Sequence, residues 1–434
     1  MTLHSDPAVR LLGDLVAIDS VNPTLVPGAA GELAVARRVA EEMRAIGMAV
    51  TIVDAAPGRP NVVGTLTGIA PGRSLMFCGH TDTVGVAGMA RPFDPQIRDG
   101  RLYGRGAQDM KGGLAAMLGA ARAIRDGGGL AAGRLTLAAV VDEEHSSLGA
   151  DALAATHRAD AAVVTEPTGL DVAVAHKGFQ WVAVETRGRA AHGSRPRDGR
   201  DAIFRMGRVL AGLEALDRKL QAGPAHPLLG TASLHASLMH GGRELSSYPD
   251  RAWLEFERRT LPGEPASAAY AEVSAILQAL RASDAEFDAE AKALFGRDGY
   301  EVDPAASIAA DLTRAAASAG VEAARVGMSF WTDAAILGGA GIPTVLFGPG
   351  GAGLHSTEEY VIVQDVCRCR DALSRSRATS RGGERLRDLA HVDERHHHAS
   401  AGGRGGSERS RGVPRGAATE FPTGRLMTTG RAEQ

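Results

Sequence analysis

The chain has 434 residues, 44% of them hydrophobic, and a formal net charge of -3, which is enough apolar material for two packed cores and too even a charge for a nucleic-acid surface. Its three cysteines, Cys78, Cys367 and Cys369, cannot staple a chain of this length, which suits a reducing compartment. The start MTLHSDPAVRLLGDLVAIDSV lacks the basic residues and unbroken apolar run of a secretion signal, and no segment reaches the roughly 20 apolar residues of a membrane span, so a cytoplasmic protein without membrane or nucleic-acid partners is expected.

From residue 6 to about 177, helical and extended patterns alternate. Leu33 to Ile46 has helical periodicity and stops at Gly47, followed by the strand-like AVTIVDA, NVVGTL and SLMFCG. A helix over Gly113 to Ile124, the strand RLTLAAVVD, a helix around 148 to 155 and the strand ADAAVVTE complete the stretch. Such alternation predicts an α/β fold on a mixed, largely parallel sheet, with functional groups at the carboxyl ends of the strands. After Lys177 the texture changes to FQWVAVETRG, a helix from Asp201 to about Leu216, ASLHASLMHGG, RAWLEFERR, a helix from about Ala266 to Ala282, and DAEFDAE. That order predicts an inserted ferredoxin-like α+β domain. The first texture then returns in DLTRAAASAG, GIPTVLFGPGG and HSTEEYV. The expected division is a catalytic domain over 1–177 and 291–373, a lid or dimerisation domain over 178–290, and a low-complexity tail over 374–434. The tail carries 12 arginines and Gly/Ser runs and cannot bury a core, so disorder is expected there. The composition switches inside the last helix, as if the reading frame departed from that of its relatives.

Three apolar strands end in chemistry: SLMFCG in His80, LTLAAVVD in Glu143 and Glu144, and AAVVTE in Glu166. With Asp82, with Asp109 in GRGAQDMKGG, and with His355, they form a set of oxygen and nitrogen donors without thiolate, which suits zinc, manganese or cobalt. Carboxylates at that density are tolerable only around cations.

The motif series GHTDTV, GRGAQDMKGG, VVDEEHSSLGA, TEPT, AHGSRP and FGPGG...HSTEEYV resembles that of the M20 metallopeptidase family, which includes acetylornithine deacetylase, succinyl-diaminopimelate desuccinylase and glutamate carboxypeptidases. The resemblance covers roughly residues 6 to 372. It implies two divalent metal ions, most plausibly zinc, bridged by Asp109, with His80 and Glu166 on one and Glu144 and His355 on the other. It further implies Glu143 as general base and Asp82 as the carboxylate that takes the His80 imidazole proton. A cis peptide after Asp109 is implied as well. His192 would stabilise an oxyanion in a neighbouring subunit's site within a lid-joined homodimer, and Arg259 would hold a substrate carboxylate. The implied reaction is hydrolysis of the amide of an N-acyl amino acid; a dipeptidase or carboxypeptidase acting on short peptides, and a noncatalytic amino-acid-binding relative, are the alternatives. The sequence departs from many relatives in Ser246 and Ser247, where an asparagine is frequent before Pro249 and Asp250, and in Glu257, where aspartate is frequent. These touch substrate preference and leave the metal set intact.

Overall fold

Side chains alternate across a strand, so an unbroken apolar run stays buried only when both faces of its sheet are covered. The strand Ala70–His80 meets that condition. Leu75 and Phe77 pack into one core, with the helices Pro7–Val16, Leu33–Ile46, Gly112–Asp126, Ile308–Ser318 and Val363–Thr379, while Met76 and Cys78 pack into another, with Leu148–Thr156 and Ala334–Gly339. This structure is a computed structural model that describes residues 5–379.

The largest sheet has the order Ala49–Ala56, Arg59–Thr67, Ala132–Val140, Ala70–His80, Ala161–Val164, Thr344–Leu346, Val172–His176 and Tyr300–Glu301, with Arg325–Met328 also paired to Val172–His176. Its middle is parallel, from Ala132–Val140 through Thr344–Leu346, and the strands Ala49–Ala56 and Arg59–Thr67 join antiparallel at one side. The fold is thus mixed α/β on a largely parallel sheet, as the sequence pattern predicts. Register does the rest: His80 pairs with Val140 and Cys78 with Val164, so the residues that follow the three strands emerge on one rim.

A second sheet is antiparallel throughout, in the order Ser233–Gly241, Arg251–Thr260, Gly178–Arg187 and Asp288–Arg297. Helices Ala202–Gln221 and Ala268–Ser283 cover one face around Val182, Val184, Leu254 and Phe256. Its last strand differs from the sequence expectation. It begins at Asp288 and runs to Arg297, past the segment DAEFDAE and past position 290, because Phe287 and Ala289 anchor its start in the core while the rest is a half-open edge with weak alternation. A third sheet of two- and three-residue strands, Gly351–Ala352, Tyr360–Ile362, Arg101–Tyr103 and Gln96–Arg98, is too short to leave a period in the sequence. The last helix continues to Thr379, through position 374. The remainder of the expected tail, including His396, His397 and His398, lies outside the described residues. Among the described residues no helix is long and apolar enough to cross a membrane.

The donor rim rests on a close backbone approach: a Cβ added at Gly113, in the first turn of Gly112–Asp126, would stand 1.9 Å from the Thr165 carbonyl oxygen. Gly113→Ala should therefore destabilise the fold by about 1–3 kcal/mol through overpacking. A denaturant midpoint equal to wild type would show that this contact is not tight.

Candidate metal centre

His80 is the last residue of its strand and only 1% exposed. Its Nδ1 lies 3.0 Å from the Asp82 carbonyl oxygen, which leaves Nε2 facing Asp109 Oδ1 at 3.0 Å and Glu166 Oε1 at 3.7 Å. Asp109 belongs to the distorted turn Ala107–Lys111 that leads into Gly112–Asp126, and the Asp109–Met110 peptide is cis. Its other oxygen, Oδ2, is 3.3 Å from His355 Nε2, which is in turn 3.1 Å from Glu144 Oε2. Asp109 therefore stands between two half-sites, His80 with Glu166 and His355 with Glu144. One donor atom from each of His80, Asp109 and Glu144 falls within 4.8 Å of the others, and the same holds for His80, Glu143 and Glu166. Six residues singled out in the sequence thus converge.

Four carboxylates face two imidazoles here, and burial makes the imbalance costly. Burial, reinforced by neighbouring carboxylates and opposed by the His80 charge, pushes Glu143 and Glu166 well above the usual carboxylate range. Glu144 rises to about 7, again mainly through burial and then through the Asp109 charge. Its Oε1 is buried without a hydrogen-bond partner. Hydrogen bonds to Asp109 and Glu144 lift His355 to about 10. Burial opposes the charged form of His80, yet its hydrogen bond to Asp109 and the Glu166 and Glu143 charges carry it well above its ordinary value. Oxygen and nitrogen donors in excess negative charge, one of them orphaned, fit divalent cations. Cys78 is no part of the set, since it is buried in the sheet below.

Asp82 meets His80 through its backbone more closely than through its side chain. Its carboxylate stands 3.7 Å from His80 Nδ1, beyond a hydrogen bond, and the proton on that nitrogen goes to the Asp82 carbonyl instead. The carboxylate accepts from the backbone N–H groups of Glu143 at 3.1 Å and Glu144 at 3.2 Å, and from Asn22 Nδ2 at 2.8 Å. It holds the turn that carries both glutamates. Asn22 also donates to Asp142, which accepts from Arg59 at 2.6 Å, and Arg59 pairs with the buried Glu32. On the other side, buried Glu359 accepts from the backbone N–H groups of Gly106, Gln108 and Asp109 at 3.0, 2.9 and 3.1 Å and from Arg105 at 2.6 Å. Glu359 stands in HSTEEYV and Asp142 in VVDEEHSSLGA, each overshadowed there by the donors beside it, whereas no local pattern marks Asn22, Arg59 or Glu32.

Asp109, Glu143, Glu144, Glu166 and His355 line a cavity of about 380 Å³, and Arg259 lies on its far wall. Arg259 Nε bonds Glu257 at 2.6 Å, while its neighbour Arg258 is buried between Glu264 and Glu272 and serves the second sheet. His192 is not brought to the site. It sits exposed in a loop bridged to Ser247, its Nδ1 2.8 Å from Ser194 Oγ, and does not line the cavity.

A family model described as peptidase family M20/M25/M40 matches residues 76–376. Acetylornithine deacetylase of Myxococcus xanthus is 32% identical over 399 residues, which cover 87% of this chain and 98% of that protein. N-formyl-4-amino-5-aminomethyl-2-methylpyrimidine deformylase of Bacillus subtilis is 28% identical over 84% of this chain and 92% of its own length. A solved structure of a dinuclear metal binding peptidase of the M20 family, also from Bacillus subtilis, superposes with a TM-score of 0.66 at 15% identity over 87% of this chain and 98% of its own.

Because cations bind deprotonated donors, a centre whose groups carry protons near neutrality must release them on loading. With His355 near 10, Glu144 near 7 and His80 raised, affinity for zinc should increase with pH, by about tenfold per unit for each proton released. Calorimetric titration at pH 7 in two buffers of different ionisation enthalpy counts those protons. Binding with none released would contradict the electrostatics described here.

Proposed function

Because this chain belongs to peptidase family M20/M25/M40 and is a hydrolytic enzyme, we propose that it hydrolyses the amide bond of an N-acyl amino acid with two divalent metal ions, zinc first and cobalt or manganese as alternatives. The observation that carries the reading is Asp109, whose two carboxylate oxygens face different histidines. In this reading Asp109 would serve both ions, with His80 and Glu166 holding one and Glu144 and His355 the other. Such ions, when bound, polarise an amide carbonyl and acidify water.

The chain's own groups do the rest. Glu143 shares the rim with His80 and Glu166, and its backbone is fixed by Asp82. Its burial favours holding a proton, so it takes one from the attacking water and returns it to the leaving amine. Arg259 has committed its Nε to Glu257 and keeps its other N–H donors for a substrate carboxylate. The relatives named a deacetylase and a deformylase each remove an acyl group, which supports an N-acyl substrate.

A homodimer belongs to the same proposal. The strand Ser233–Gly241 is an open edge with Leu238 64% and Met239 48% exposed, the kind of edge that pairs with a second copy. His192, remote from the cavity of its own chain, would then serve the partner's oxyanion.

Glu143→Gln should keep its metal content and lose about 10²–10⁴ in kcat on N-acetyl amino acids; wild-type turnover would refute the assigned base. His192→Ala should be similarly impaired as a pure homodimer. Mixing the two variants under subunit exchange should restore activity, because one hybrid site has an intact Glu143 and receives an intact His192. Failure of the mixture, with exchange verified, would place His192 outside catalysis in the partner.

A further inference from the structure

Aromatic residues make up only 4% of this chain, yet five of them line the one cavity beside the donor cluster: Phe179, Trp181, Phe295, Phe330 and Trp331. Register explains the concentration. On the face of the second sheet away from its helices, Phe179 lies between Arg259 and Arg297, and Trp181 between Glu257 and Phe295. Phe330 and Trp331 follow the strand Arg325–Met328 of the main sheet and close the opposite side, with Trp331 edge-on to Phe179 at 6.1 Å. Phe179, Trp181 and Phe295 form a continuous ring cluster with centroids 5.1 to 6.0 Å apart. Trp181 is oriented by its Nε1, which donates to Glu257 at 2.8 Å.

Within the amidohydrolase reading, on which this step rests, we propose that the group flanking the scissile amide is a neutral aromatic ring, carried by the amino-acid side chain or by the acyl group. Aromatic walls accept either flat rings or cations, and two observations decide between them. First, three of the five rings already face a guanidinium: that of Arg259 lies 5.5 Å from the Phe179 centroid, and that of Arg297 lies 5.4 Å from Phe295 and 5.8 Å from Trp331. Second, among the described residues the carboxylates lining the cavity are those of the donor cluster, Asp109, Glu143, Glu144 and Glu166, and Glu257 beside Trp181 is already paired with Arg259, so an ammonium side chain on the ring wall would meet no unpaired counter-ion. A neutral ring meets neither obstacle and gains stacking and edge contacts.

The test measures binding apart from turnover. The metal-loaded Glu143→Gln protein is titrated calorimetrically with N-acetyl-L-phenylalanine, N-benzoylglycine, N-acetyl-L-leucine and N-acetyl-L-ornithine. At least one ring-bearing ligand should bind ten times more tightly than both the leucine and the ornithine derivatives, and which one does so tells whether the ring belongs to the side chain or to the acyl group. Phe295→Ala in the same background should shrink that gap to less than threefold by weakening the ring-bearing ligand. Equal or tighter binding of the leucine or ornithine derivative overturns the inference. Wild-type turnover of the same panel is read separately: ring preference in binding with no hydrolysis of any member would sink the proposed reaction and leave the ring preference standing.

Discussion

Carboxylates crowded together without counter-charge cannot remain ionised inside a protein, and this constraint governs the molecule. The parallel register of three buried strands brings His80, Glu143, Glu144 and Glu166 to one rim, and the turn Ala107–Lys111 adds Asp109, so that four carboxylates meet the imidazoles of His80 and His355. A fifth carboxylate, Asp333, is buried behind them, with one oxygen unpartnered and its pKa pushed up to about 7, chiefly by burial. Protons relieve the strain in the metal-free chain. Divalent cations relieve it better, because they neutralise more charge per ion and take the lone pairs that protein donors leave open.

Around the rim, carboxylates divide into two kinds by what they touch. Those of the cluster face imidazoles and the cavity. Asp82 and Glu359 instead face backbone N–H groups, two for Asp82 and three for Glu359, and so turn two loops into fixed platforms. Without Asp82 the turn after Val140 would have no reason to present Glu143 and Glu144 together. Glu359 does the same for the segment that leads to Asp109, with Arg105 balancing its charge.

The difference between these kinds explains what the sequence disclosed. His80, Asp109, Glu143, Glu144, Glu166 and His355 could be found because each follows an apolar run or sits in a motif, and the parallel fold follows from strands buried on both faces. Asp82 was found through His80, but not its contacts with the turn that carries Glu143 and Glu144. Alternation puts residues 80 and 82 on one side of an extended chain, but the strand ends at His80 and the chain turns, so the carbonyl of Asp82 faces the imidazole and its carboxylate faces the other loop. Glu143 and Glu144, adjacent in the chain, are presented together by a turn, with Asp142 at φ 70°. Asn22, Arg59 and Glu32 act across long separations in the chain, and no local pattern encodes a contact of that range. The edge strand Asp288–Arg297 was expected too early, over DAEFDAE, because half of its surface is open and polar residues interrupt its period.

Chemistry and recognition come from different sheets, and their physics differs accordingly. His80, Glu143, Glu144 and Glu166 follow strands locked on both faces, where a one-residue slip would move each of these donors to the wrong side. The ring wall sits largely on the uncovered face of the antiparallel sheet, whose opposite face carries its own core of Val182, Val184, Leu254 and Phe256. Substitutions at Trp181 or Phe295 therefore change what the cavity accepts without disturbing the core that holds the sheet or the register that holds the donors. Arg258 and Arg259 show the rule within one dipeptide: alternation sends the first into its buried pairing with Glu264 and Glu272 and the second to the cavity wall, where it pairs with Glu257.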